Sequence, residues 1–143
     1  MTARGKQTAL MPGNEDKVGY WLTPPPLMAA LQAEFGPLED VCPHPRPAGW
    51  DALREPWPPR SYVNPPFGGG AAWVRKAVHE VGRGSLVVLV QPARHLQTTV
   101  REFVRCEVDR PEVRLVNPHW HRPDGRVSPW TAPAVIFILR PKP

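Results

Sequence analysis

Proline, more than any other residue, limits what this chain can fold into. Each of its 21 prolines in 143 residues removes a backbone N–H and fixes φ, so helices and strands are confined to the runs between them. Those runs can build a core, because 41% of the chain is hydrophobic and the apolar residues cluster into strand-like and helix-like stretches. The reading is one compact domain with stiff connections, long enough for a real core. Residues 1–16 are polar and aperiodic and are expected to form an N-terminal arm, with 17–143 as the folded domain.

Where two prolines stand side by side, the constraint becomes chemical. Ser61-Tyr62-Val63-Asn64-Pro65-Pro66-Phe67 reads as a short strand that stops abruptly and presents its last side chains at an edge. An Asn oxygen and the Pro65 carbonyl can together accept from one exocyclic NH2, while Phe67 offers a face to a planar ring. That suits capture of an adenine by its amino nitrogen. A plain strand-to-loop stop remains open on this segment alone, since Asn, Pro and Gly punctuate loops everywhere.

The helix and strand runs alternate along the chain. Thr23 reads as an N-cap with proline at the first helical position; Leu27, Leu31 and Phe35 then repeat at helical spacing and Gly36 ends the helix. Residues 37–43 form a short run carrying Asp40 near its C-terminal end, where open α/β sheets bind ligands, although a solvated turn acid reads equally well. Residues 43–60 are an irregular proline-rich excursion with one helical turn at 50–55. Asp51 offers a second polar contact there, and Trp50 and Trp57 are candidate core plugs. A helix is expected over 71–81, with Trp73, Val74, Ala77 and Val81 inward and Arg75, Lys76 and Glu80 outward. It follows Gly68-Gly69-Gly70, which reads either as a phosphate-facing N-terminus or as a hinge. The apolar run 85–90 is the expected central parallel strand. A second helix over 96–108, with Val100, Phe103 and Val104 inward, precedes strands at 113–117 and 134–140. Between these strands, residues 118–130 read as a loop mixing Trp, His and Arg, a composition suited to nucleic acid. Helices alternating with about five strands make an α/β sheet, closing in an antiparallel pair.

A net charge of +5 favours a polyanionic partner. With two cysteines, no apolar run of about 18 residues and no leader pattern, a soluble cytoplasmic protein without membrane association is expected.

Trp21-Leu22-Thr23-Pro24, Asp40-Val41-Cys42, Asp51-Ala52-Leu53 with Trp57, and Tyr62-Val63-Asn64-Pro65-Pro66-Phe67 with Trp73 together resemble the small phage-type DNA N6-adenine methyltransferases (Dam-like). The resemblance spans roughly residues 16–140. It implies a Rossmann-like methyltransferase sheet, S-adenosylmethionine as methyl donor and a flipped adenine in DNA as acceptor. It also implies Asn64, Pro65, Pro66 and Phe67 as the catalytic set. Trp21, Thr23, Pro24, Asp40, Cys42 and, less directly, Asp51 are carried to the donor site. The chain departs from the broader pattern at Cys42-Pro43-His44-Pro45, which replaces a glycine-rich turn, and at Phe67, where many relatives have Tyr. Arg94, Arg122 and Arg126 are candidate phosphate contacts. Three other readings stand beside this one: an amino acceptor in RNA, cytosine or glutamine; a non-enzymatic DNA-binding accessory protein on the same fold; and a metal site built from Cys42, His44, His119 and His121.

Overall fold

The computed structural model describes residues 21–66, 70–109 and 111–143. The expected arm, Phe67, Gly68 and Gly69 lie outside them. In chain order the elements are α1 (Pro25–Phe35), β1 (Glu39–Asp40), β2 (Arg60–Val63), α2 (Gly70–Gly82), β3 (Leu86–Pro92), a 3-10 turn (Ala93–His95), α3 (Leu96–Arg105), β4 (Glu112–Val116), β5 (His119–His121), β6 (Val127–Thr131) and β7 (Ala134–Leu139).

Five strands form a mixed sheet in the order β1-β2-β3-β7-β4. β1, β2 and β3 are parallel, and β7 lies antiparallel to both of its neighbours. The expected central strand is therefore parallel on one side only. A parallel neighbour requires a crossover, which α2 supplies between β2 and β3, whereas β7 returns from β4 through the β5–β6 hairpin. With three α-helices among the described residues and this sheet, the protein is a mixed α/β fold. No helix among the described residues is long and apolar enough to cross a membrane.

Both faces of the sheet are covered, which is why β3 and β7 are apolar runs without alternation. On one face Val63, Val87, Leu89 and Phe137 pack under α2 and Phe103 of α3, with Ala52 and Trp57 from the 43–60 excursion. On the other, Tyr62, Val88, Val90 and Ile136 meet Leu31 of α1 and Trp120 of the hairpin. The excursion does contain one turn, closed by the Arg54 and Glu55 N–H groups on the Asp51 carbonyl (both 3.0 Å). Both of its tryptophans plug the core, their indole N–H groups donating to Val41 O and Ala52 O.

Four local expectations are corrected. Pro24, not Thr23, caps α1, and no side chain caps it, because the Thr23 hydroxyl is engaged elsewhere. Gly36 does end that helix, at φ 79°, a left-handed conformation that glycine adopts without strain. Glu80 is buried rather than outward, at 1% exposure. It accepts from the Trp57 N–H (2.9 Å) and from Lys76 Nζ (2.8 Å). Burial alone would raise its pKa, but the hydrogen bonds from Lys76 and Trp57 and the charges of Lys76 and Arg83 outweigh that and lower it. On α3 the inward residues are Thr99, Glu102 and Phe103, while Val100 and Val104 face solvent. Finally, much of 118–130 is the β5–β6 hairpin, pinned to the N-terminal segment by paired hydrogen bonds between Leu22 and His121.

Candidate active site

The three parallel strands end on the same side of the sheet, and their carboxyl ends deliver Asp40, then Asn64-Pro65-Pro66, then Gln91-Pro92. This is where α/β sheets collect ligands, because strand ends offer unpaired backbone groups and loops free to vary. Asn64 follows the last residue of β2, just past the Val63–Leu89 register pair.

The Asn64 amide is held by its nitrogen. Nδ2 donates to the Trp21 carbonyl at 3.0 Å and, more weakly, to Thr23 Oγ1 at 3.4 Å. A carbonyl can only accept, so the atom facing Trp21 must be the nitrogen, which settles the amide's orientation. Thr23 Oγ1 is in turn hydrogen-bonded to the Tyr62 hydroxyl. Tyr62 is 1% exposed, and burial, only partly opposed by that hydrogen bond, pushes its pKa far upward, so it stays protonated. The result is a chain of polar groups ending in an Asn64 Oδ1 that no donor among the described residues occupies. No described residue donates to the Pro65 carbonyl either, although Pro65 itself is buried and lines neither of the cavities beside Asn64.

Two cavities are bounded by Trp21 and Asn64. One, of about 300 Å³, is lined also by Thr23, Asp40, Cys42 and His44. The other, of about 150 Å³, is largely apolar, with Val90, Pro92, Trp120 and Ala134 around it and Arg94 at its wall. Asn64 thus stands where a polar chamber and an apolar one meet.

The polar chamber holds the acid. Asp40 keeps accessible surface at the cleft, but the surrounding walls strip much of its hydration and raise its pKa, against the opposing effect of the Cys42 N–H. That N–H donates to Oδ1 at 2.9 Å, and no hydrogen bond from a described residue reaches Oδ2. Burial, reinforced by the Asp40 charge, raises the Cys42 thiol well above its ordinary range. It therefore lines the chamber as a neutral thiol rather than as a nucleophile.

Of the residues expected at a donor site, Trp21, Thr23, Asp40 and Cys42 are brought together. Pro24 is not: it is buried beneath the start of α1, and Pro25 lines the chamber instead. Asp51 is absent from the lining as well. Its Oδ1 accepts from the Leu53 N–H at 3.0 Å, closing the turn of the excursion, and its Oδ2 lies 3.5 Å from Arg54. Among the expected phosphate contacts, Arg94 flanks the apolar cavity and Arg122 lies over the Trp21 ring at 5.8 Å. Arg126 is tied to Asp124 at 2.7 Å across the hairpin turn and lines neither cavity. Cys42, His44, His119 and His121 do not converge, and no three His, Cys, Asp or Glu side chains among the described residues form a metal-binding group.

Sequence reasoning missed Tyr62 as an orienting group, as well as Trp120, which it displayed on a loop and which is buried, its indole N–H on Ala132 O. Tyr62 was within reach of the period-2 rule: it lies two residues before Asn64, on the same face of the strand. Compared with known proteins, the chain matches no family model, no curated sequence and no solved structure.

Proposed function

We propose that this chain is an S-adenosylmethionine-dependent DNA adenine-N6 methyltransferase, with its mixed sheet a reduced Rossmann-like methyltransferase sheet. The observation that carries the reading is the pinned Asn64 amide, whose oxygen is left available at the junction of a polar and an apolar cavity. A transferase needs such a junction, because two substrates must meet there while each keeps its own site.

The chain's residues fit the donor. Asp40 Oδ2 is an acceptor at a parallel strand's end, in a chamber with Thr23, Cys42 and His44. Its volume lies at the lower end of the range for small-molecule sites. When bound, the donor supplies an electrophilic methyl on a sulfonium. The apolar cavity fits a planar ring between Trp21 and Trp120, with the amino group directed to Asn64 Oδ1 and the Pro65 carbonyl.

Adenine N6 is a poor nucleophile, since its lone pair is delocalised into the ring. Hydrogen bonds from N6–H to two fixed acceptors favour the geometry in which that lone pair is freed, and they stabilise the positive charge that grows on nitrogen during attack. No base would have to act first, because the N6 proton would become acidic only as the methyl left the donor's sulfur for nitrogen, and it would then pass to solvent. An adenine in a duplex must leave the stack to reach this pocket. The net charge of +5, with Arg94 and Arg122 beside the cavities, suits the phosphates that flank it.

The test is a labelled-methyl assay on duplex DNA, single-stranded DNA and RNA, with nucleosides identified by mass spectrometry. N6-methyladenine formed from DNA by the wild type and lost in Asn64→Ala, with donor binding kept, is the expected result. Label in RNA alone moves the substrate to RNA. No transfer to any polymer, together with no donor binding, refutes the enzyme reading.

A further inference from the structure

Outside the two cavities, the sheet face that carries α3 ends in an apolar surface that no described residue covers. Leu96, Val100 and Val104, four residues apart on one flank of α3, are 38%, 46% and 73% exposed. Glu102, on the opposite flank, pairs with Arg75 of α2 at 3.3 Å, so the apolar flank looks away from α2. On β4, Val113 and Leu115 are 49% and 78% exposed. They stand opposite Phe137 and Val135 of β7 and so share the sheet face on which Phe103 of α3 packs, 5.0 Å from Phe137. β4 is also an edge strand, paired among the described strands with β7 alone. An open strand edge beside exposed apolar side chains is a template for another strand.

We infer that this surface is a homodimer interface, formed by antiparallel pairing of β4 with β4 of a second copy. The charge pattern selects a second copy over an unrelated strand. Glu112-Val113-Arg114 is self-complementary when two copies run antiparallel about Val113. Glu112 then faces Arg114 of the other copy and Arg114 faces its Glu112, so the two-fold axis makes the same ion pair twice. These groups already share one face, where Arg114 Nε meets Glu112 at 2.7 Å, its Nη1 and Nη2 each meet Glu34 of α1 at 2.6 Å, and Arg140 holds the Glu112 carboxylate at 2.8 Å, so the pair across the axis extends a network that each copy already carries. On the other face Val113 meets its own copy. Both α3 helices lie on that face, and their apolar flanks are the ones turned away from each copy's α2. A ten-stranded sheet results, continuous across the axis, with the two clefts left open because neither cavity near Asn64 is lined by β4 or α3 residues.

Sedimentation equilibrium of the full chain tests this, with a dimer expected. Val104→Glu with Leu115→Glu, both at positions already exposed, should weaken association by about a hundredfold. Oxidation of a Val113→Cys variant should yield a 113–113 disulfide between copies, identified by peptide mass spectrometry, since paired Cα atoms lie within disulfide reach. Leu115→Cys should not cross-link to itself, because this register sets the two residues about 13 Å apart. A wild type that is monomeric at about 0.1 mM, a dimer untouched by the two glutamates, or a preferred 115–115 cross-link would each overturn the proposal. If the double variant fails to fold, the two cysteine variants still decide.

Discussion

Thr23→Val and Tyr62→Phe, singly and together, test whether the polar chain behind Asn64 acts as a unit. Valine has the shape of threonine, so Thr23→Val removes little but the hydroxyl. It leaves the Tyr62 hydroxyl, on a residue 1% exposed, without its partner. An orphaned buried donor costs about 1–3 kcal/mol, and about 2 kcal/mol is the working figure here. Tyr62→Phe removes that donor instead, and the Thr23 hydroxyl keeps the Asn64 contact at 3.4 Å, so about 1 kcal/mol is expected. In the double variant both partners are gone and nothing is orphaned between them, since Asn64 Nδ2 keeps the Trp21 carbonyl. Its cost should therefore be about 1–1.5 kcal/mol rather than the additive 3, a coupling of about 1.5–2 kcal/mol.

Urea titrations with a common m-value measure the stabilities, and for a chain of this size each kcal/mol moves Tm by about 3–4 °C. On the proposed function, methyl transfer gives the second readout. Tyr62 lines neither cavity, so Tyr62→Phe should leave donor affinity unchanged while kcat falls about three- to tenfold as the Asn64 amide loosens. Additivity within about 0.5 kcal/mol, or a Tyr62→Phe enzyme with unchanged kcat, would refute the idea that this chain orients Asn64.

On the same proposal, Asp40→Asn should weaken donor binding by calorimetry, and it should slightly stabilise the free protein at neutral pH. A carboxyl whose folded pKa is raised holds its proton more tightly when folded, so its ionisation destabilises the fold as pH rises. For the same reason wild-type donor affinity should fall with decreasing pH above the ordinary aspartate range of about 3.9, and Asp40→Asn should flatten that profile. Glu80→Ala should cost about 3–5 kcal/mol, because it strands the largely buried Lys76 ammonium and the Trp57 N–H, and a further Lys76→Met should restore part of the loss by urea denaturation. Glu80 has a lowered folded pKa, so its contribution is present above the ordinary glutamate value and is lost as pH falls through the folded one. Alkylation at Cys42, followed by peptide mapping at pH 8, should be slower than for a free thiol because its pKa is raised, and added donor should slow it further.

Much of this protein was legible in one dimension, because local rules decide much of it. Proline and glycine placed the breaks, apolar runs marked β3 and β7, helical spacing found α1 and α2, and the strand stop at Asn64-Pro65-Pro66 marked the end of β2, where Asn64 borders two cavities. Asp40 stood out as an acid at a strand end for the same reason. Tertiary structure decided which polar groups face which. Thr23 carries an N-cap's side chain, but a hydroxyl bonds the partner that geometry brings, and here that is Tyr62, 39 residues along the chain. Glu80 obeys the surface pattern of its helix yet is buried, since the chain returning at Trp57 offers it an N–H and Lys76 offers a charge. Asp51 resembles a ligand contact in sequence and serves only its own turn. Val100 and Val104 look like core residues, but α3 is rolled so that Thr99, Glu102 and Phe103 face the sheet. Periodicity gives a helix an apolar side, whereas the roll that brings one side to the core is set by the neighbours it must pack against.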